Sequence, residues 1–200
     1  MLYYERKFKR LGYDLIIGVD EVGRGPLAGP VVAAAVSLRR ARLKNRIDDS
    51  KKLSPQSRER AFPEITSKAF FGLGLVSEKI IDRLNIEVAT SLAMEKAIAQ
   101  LLRKLKSIKF KRIRVLVDGR VKLNIRHPCT NIIKGDSKSK SIACASILAK
   151  VVRDRIMSVY DRIYPQYGFL EHKGYPTFRH RAILRKIGPS LIHRATFHYV

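Results

Sequence analysis

Apolar residues fall into short runs in the first part of this chain and into helical stripes later. Residues 14–20 (DLIIGVD) form a brief apolar run that ends in acid, and residues 30–38 (PVVAAAVSL) form a second. Runs of this length predict buried strands, and the glycine-rich stretch 23–29 between them predicts a hairpin-like connection. A third strand is expected over 69–76 (AFFGLGLV), a fourth over 112–118 (RIRVLVD), again closing on Asp, and a short fifth over 131–134 (NIIK). Ser54-Pro55 opens a helix, because Ser caps well and Pro suits the first helical position; Pro63 leaves its far end open. Asn85 caps a long helix to about Leu105, whose apolar positions 86, 89, 93, 97, 101 and 105 share one face. Ile142, Ala145, Ala149, Val152, Ile156, Val159 and Ile163 alternate steps of 3 and 4, which predicts one continuous buried face. Pro165 and Gly168 end that helix, the loop 166–177 follows, and a last helix is expected over 178–187 before Gly188-Pro189. The pattern predicts one α/β domain, a mixed sheet covered by helices, with no internal repeat or linker.

Charge changes this picture most. Forty-one Lys and Arg against 17 Asp and Glu give a formal charge of +24, an excess that attracts polyanions and gains affinity by releasing their counterions. Basic clusters lie at 39–46, 104–114 and 134–155. Composition alone fits a ribosomal or other non-catalytic nucleic-acid-binding protein as well as an enzyme. No apolar run reaches the roughly 18 residues of a membrane span, and the basic start, residues 1–10, leads into no signal-like segment. The chain is therefore read as complete, cytosolic and monomeric. Cys129 and Cys144 have no neighbours at zinc-ligand spacing, so neither zinc nor a disulfide is expected. The five histidines show no ligand spacing either; His172 alone is placed to line a cleft, and a structural role is the simpler reading for all.

Against so basic a background, the placement of the acids stands out. Asp20 and Asp118 each end an apolar strand, and Asp136 stands at the head of the heptad-stepped helix. Glu21 follows Asp20 directly; because strand side chains alternate faces, both reach one centre only if the strand has stopped by Glu21. Taken alone, Asp136 is more simply a helix N-cap, and Asp20 and Asp118 could be turn formers. Taken together, they form a set of carboxylates that repel one another unless a cation neutralises them. Oxygen ligands of this kind suit Mg²⁺ or Mn²⁺, and such sites serve in-line displacement at phosphorus. Gly23-Arg24-Gly25 permits close backbone approach to a sugar or phosphate, and the Arg can reach a phosphate.

GVDEVGRGPLAGPVVAAAV (18–36) resembles the N-terminal signature of bacterial ribonuclease HII. Further blocks follow in the family's order: DSKKL (49–53), LNIEVATSLAM (84–94), VLVDG (115–119), KGDSKSKSIACASILAKVVRD (134–154), YPQYGFLEHKGYPT (164–177) and IHRATF (192–197). The resemblance implies an RNase H-like fold with extra C-terminal helices at about 178–200. It implies a metal-dependent endoribonuclease that cuts the RNA strand of RNA–DNA hybrids and cuts 5′ of ribonucleotides embedded in duplex DNA. Two Mg²⁺ or Mn²⁺ ions would serve it, leaving 3′-OH and 5′-phosphate ends. Asp20, Glu21, Asp118 and Asp136 match the four metal-binding carboxylates. Gly23, Arg24 and Gly25 match the loop that reads the ribose 2′-OH, Tyr175 the tyrosine that packs on the sugar at the RNA–DNA junction, and Lys51 and Lys52 positions that hold phosphates. This chain departs from the family at Arg120-Val121-Lys122-Leu123, where an Asn and a Pro-containing turn are usual, and at Pro176, where Gly is frequent. A resolvase- or integrase-like nuclease would share the carboxylates but have no reason to read a 2′-OH.

Overall fold

The computed structural model describes residues 1–39, 43–108 and 110–199. Arg40 and Arg42 of the first basic cluster and Lys109 of the second lie outside the described residues. The central sheet contains β1 (Leu15–Val22), β2 (Val31–Leu38), β3 (Ala69–Val76), β4 (Ile113–Asp118) and β5 (Cys129–Ile132), in the order β3-β2-β1-β4-β5. The hairpin expected between β1 and β2 is present as an antiparallel pair, and β2 pairs antiparallel with β3. β1–β4 and β4–β5 are parallel. Parallel neighbours put their C-terminal ends at the same edge, so Asp118 comes to lie beside the end of β1.

Helices cover both faces. α4 (Ile86–Lys104) packs on one, closing a core of Leu15, Ile17, Val19, Ala33, Ala35, Val115 and Val117 with Ala93, Ala97 and Leu101. The expected cap is realised: the Asn85 side chain accepts from the Glu87 and Val88 amides. α5 (Lys140–Ile163) and α2 (Pro55–Lys68) cover the other face over Val32, Ala34 and Val36. Ser54 caps α2 by accepting from Ser57 N, and the helix continues through Pro63 to Lys68.

The expected continuous apolar face of α5 holds only in its first half. Ile142, Ala145 and Ala149 are buried, but Val159 and Ile163 are more than half exposed. The buried stripe passes instead through Ala149, Arg153 and Met157, because α5 runs past the end of the sheet and its last turns meet the C-terminal segment. Three helices were not anticipated: α1 (Tyr3–Arg10), α3 (Glu78–Leu84) and the short α6 (Phe169–His172), which lies within the expected loop 166–177. α1 buries Phe8 and is tied to the start of α5 by Glu5, which accepts from Ser141 N and from the Ser139 and Ser141 hydroxyls. α3 precedes α4.

The C-terminal part contains the short α6 (Phe169–His172) and α7 (Phe178–Ile187), with a core of Leu27, Met157, Tyr167, Phe169, Leu184 and Ile192. Three buried histidines knit it together. His180 Nδ1 donates to Tyr175 O, so its Nε2 accepts from His193 Nε2 at 3.0 Å, and His193 Nδ1 in turn accepts from Ser190. His172 donates from Nε2 to Tyr167 O and accepts from Gly174 N at Nδ1. All three are thus neutral, and burial pushes His180 and His193 down to about 4 from the ordinary 6.5. Because the folded values lie below the unfolded ones, the unfolded chain binds more protons between these limits. Stability from the pair is full above about pH 6.5 and falls as pH drops toward about 4, by roughly 1.4 kcal/mol per imidazole for each pH unit crossed. Urea midpoints should fall over this window, and less steeply in His193→Gln; equal slopes in both proteins would contradict the assignment.

Candidate active site

The last parallel pair is Val19 with Val117, so the next residues, Asp20 and Asp118, stand side by side where the two strands part. Alternation puts both on the face covered by α5. Asp20 is buried; it accepts from the backbone N–H of its neighbour Glu21, and Ser146 on α5 lies near enough to favour its ionised form. Asp118 Oδ1 accepts from Gly135 N at 2.6 Å, which fixes the 3₁₀ turn Gly135–Ser137 against β4. That turn carries Asp136.

Asp136 does not cap the helix. Ser139 does, accepting from Ile142 N, which leaves the Asp136 carboxylate facing Asp118 and Asp49. β1 also does not stop by Glu21. It continues to Val22 through pairs of Asp20 with Ala34, Glu21 with Ala33 and Val22 with Val32. Glu21 comes near Asp118 for another reason: β1 outruns β4, so Glu21 stands beyond the end of its parallel neighbour and interacts electrostatically with Asp118.

The electrostatics follow from this crowding. Burial, then Glu21 and Asp118, hold the Asp20 carboxyl well above the usual carboxylate range. Burial also raises Glu21, opposed by Arg24 and reinforced by Asp118. Burial and the charges of Asp118 and Asp49 push Asp136 up to about 6. Three carboxyls that resist ionisation around a shared neighbour form a donor set suited to a divalent cation, which stabilises their charged forms. The donors are all oxygens, as Mg²⁺ and Mn²⁺ prefer. Among the described residues no three such groups already converge at ligand distance. The carboxylates line the strand ends without closing into a cage.

Gly23-Arg24-Gly25 follows β1 directly. Gly23 has φ +97°, and a Cβ there would strike the Arg153 side chain, so only glycine fits. Arg24 lies 3.7 Å from Glu21 with its side chain 43% exposed. A Cβ built on Gly25 would lie 4.0 Å from Tyr175 Cε1, so the turn faces the tyrosine ring. Tyr175 is 38% exposed and is held by Tyr175 N donating to His172 O. Pro176 is accommodated there in a tight turn closed by Thr177 N donating to Tyr175 O. Lys51 and Lys52 lie in the 3₁₀ turn Ser50–Lys52. Lys51 is near enough to favour ionised Glu21, whereas Lys52 pairs with Asp48 at 3.9 Å. A groove of about 690 Å³ runs from Arg24 between α4 and the segment 120–124, lined by Glu87, Glu95, Arg120 and Lys122. The altered segment after Asp118 is anchored there by Asn124 N donating to Glu95 and Asn131 donating to Val121 O.

Three site neighbours were missed by sequence reasoning. Asp49 lies close enough to Asp136 to raise it, and Ser146, which favours ionised Asp20, donates to the Ser50 hydroxyl at 2.9 Å. The DSKKL block (49–53) carries the signal for Asp49 and Ser50, and the block 134–154 contains Ser146.

A family model described as ribonuclease HII matches residues 17–200. The ribonuclease HII of Syntrophotalea carbinolica is 47% identical over 197 residues, covering 98% of this chain and 91% of that protein. That of Ruminiclostridium cellulolyticum is 50% identical over 198 residues, covering 98% and 75%. Among solved structures, the ribonuclease H2 of Pyrococcus horikoshii superposes with a TM-score of 0.71 at 25% identity, covering 92% of this chain and 94% of that one. Bst-RNase HIII in complex with Mn²⁺ shares the fold at TM-score 0.68 and 19% identity, covering 92% and 67%. The mixed five-stranded sheet flanked by helices is therefore the RNase H-like fold, and this chain belongs to the ribonuclease HII family.

Proposed function

We propose that this metal-dependent endoribonuclease hydrolyses the RNA strand of RNA–DNA hybrids and cuts on the 5′ side of single ribonucleotides embedded in duplex DNA, leaving 3′-OH and 5′-phosphate ends. The observation that carries the reading is the gathering of Asp20, Glu21, Asp118 and Asp136 at one sheet edge, beside a Gly-Arg-Gly turn that faces Tyr175. These four carboxylates would hold two divalent ions. Magnesium or manganese bound there would supply Lewis acidity, easing deprotonation of the attacking water and neutralising charge on the leaving oxygen.

The chain's own groups do the remaining work. Asp118 is oriented by Gly135 N–H on one oxygen, which leaves the other for a ligand. The Gly-Arg-Gly backbone reads the 2′-OH, the group that distinguishes RNA from DNA at a given site. Arg24, half exposed, and Lys51 attract the phosphates. The Tyr175 ring packs on the deoxyribose 3′ of the cut and crowds a 2′-OH there. The +24 charge holds the duplex in a salt-sensitive manner. No described helix is long and apolar enough to cross a membrane. We read residues 1–200 as one catalytic domain with 178–200 as its C-terminal extension, acting as a cytoplasmic monomer.

The test is end mapping on a hybrid labelled in its RNA strand. Products should carry a 3′-OH that a polymerase can extend; cyclic phosphate ends would refute the mechanism. Two variants probe the parts. Asp136→Asn should lose most turnover while stability stays within about 0.5 kcal/mol, since Ser139 and not Asp136 caps α5; near-normal turnover would remove Asp136 from the centre. Tyr175→Ala should weaken cleavage at an embedded ribonucleotide by the loss of stacking, about 1–3 kcal/mol, and narrow the preference for a junction over continuous RNA. Wild-type rates and ratio would make Tyr175 structural.

A further inference from the structure

Arg153 on α5 and Arg194 near the C-terminus are both fully buried. Neither has a carboxylate partner within ion-pair distance among the described residues. Burying a guanidinium without a counter-charge costs several kcal/mol unless its donors are satisfied. Backbone carbonyls satisfy them here. Arg194 donates to the carbonyls of Gly23 (2.5 Å), Arg24 (2.9 Å) and Gly29 (2.8 and 3.0 Å). Arg153 donates to those of Ala28, Pro30 and Lys173, each at 3.0 Å.

These seven bonds have a geometric consequence. In a trans peptide the C=O and the following N–H point in opposite directions. With the Gly23 and Arg24 carbonyls turned inward onto Arg194, the Arg24 and Gly25 amides face the other way, toward the exposed side of the turn. Arg153 then ties this loop to the neighbouring one, because Lys173 lies two residues before Tyr175. The seam between the loops is tight. Leu27 N donates to Gly174 O at 2.8 Å, and at Gly174, with φ +83°, a Cβ would come within 2.6 Å of Ala28 O.

We propose that Arg153 and Arg194 are positioning residues for substrate selection: Arg194 aims the Arg24 and Gly25 amides outward, and Arg153 holds them at a fixed separation from the Tyr175 ring. This rests on the reading of those two loops as the parts that recognise a ribonucleotide followed by deoxyribose. Two positively charged groups behind the turn also favour an anionic or hydrogen-bond-accepting ligand in front of it. Arginine is required, because one planar fork spans carbonyls from separate segments, which an ammonium cannot do with the same geometry.

Two variants test this by different routes. Arg153→Lys keeps the charge and loses the fork. Gly174→Ala leaves both arginines in place and forces the two loops apart. For each, kcat and KM are measured on a duplex with one embedded ribonucleotide and on a continuous hybrid, well below the melting temperature. A purely structural role would lower the active fraction and reduce kcat on both substrates alike. The positioning role predicts that the kcat/KM ratio of embedded ribonucleotide to hybrid falls by about tenfold or more, since displacements of an ångström carry costs of that order. If the wild type itself does not cut at a single ribonucleotide, the functional reading fails. If it does, and either folded variant keeps the wild-type ratio, the positioning role fails. Should Arg153→Lys not fold, the ratio in Arg194→Lys, which likewise keeps the charge and loses the fork, decides.

Discussion

Asp118→Asn should abolish cleavage and leave the protein at least as stable as before. Asp118 raises the proton affinity of Asp20, Glu21 and Asp136 alike, so it is the shared neighbour of the whole set. An Asn oxygen can still accept from Gly135 N, so the turn carrying Asp136 keeps its anchor. Only the charge is lost, and with it the repulsion that the folded protein tolerates. Without added metal the melting temperature should therefore hold or rise. Turnover should fall by at least three orders of magnitude, equivalent to about 4 kcal/mol of transition-state stabilisation. A variant that keeps a tenth of wild-type activity would place the catalytic centre elsewhere.

Arg194→Ala should have the largest effect on stability. The side chain is fully buried, and its removal strands the carbonyls of Gly23, Arg24 and Gly29 in a site that water does not reach. Losing one side of a buried charged network typically costs about 3–5 kcal/mol. For a chain of this size that corresponds to a melting temperature lower by roughly 6–20 °C. Burial, with the neighbouring Arg153 charge, brings the Arg194 guanidinium down to about 9. A change of less than 2 °C, measured by scanning calorimetry, would mean that the loop holds itself without the arginine.

Much of the fold was legible because its elements carry strong local signals. Asn85, Ser54 and the apolar runs marked α4, α2 and the first four strands, and acids at the ends of two such runs marked the sheet edge. β5 lies two residues before the expected 131–134, at Cys129–Ile132. What could not be read was decided by tertiary context. The strand spacing could not show that β1 outruns β4, so Glu21 was expected to need a broken strand, when a shorter neighbour suffices. The heptad pattern of α5 continued through Val159 and Ile163, yet the buried stripe drifts to Arg153 and Met157. An arginine in a buried stripe has no sequence signature, since its solvation comes from carbonyls far away in the chain. Asp136 looked like a cap because it precedes a helix, but the cap lies three residues later at Ser139. Asp49 escaped notice because nothing local shows that the turn before α2 folds back onto Asp136.

Under the proposed function, cleavage at a ribonucleotide comes from this carboxylate cluster with divalent metal. This is tested most directly by incubating the protein with a DNA duplex carrying one ribonucleotide, alongside an all-DNA control, in EDTA and then with Mg²⁺ or Mn²⁺. No cleavage is expected in EDTA, a single cut on the 5′ side of the ribonucleotide is expected once metal is added, and the control should stay intact. Cleavage in EDTA, or equal cutting of the all-DNA duplex, would contradict the proposed function.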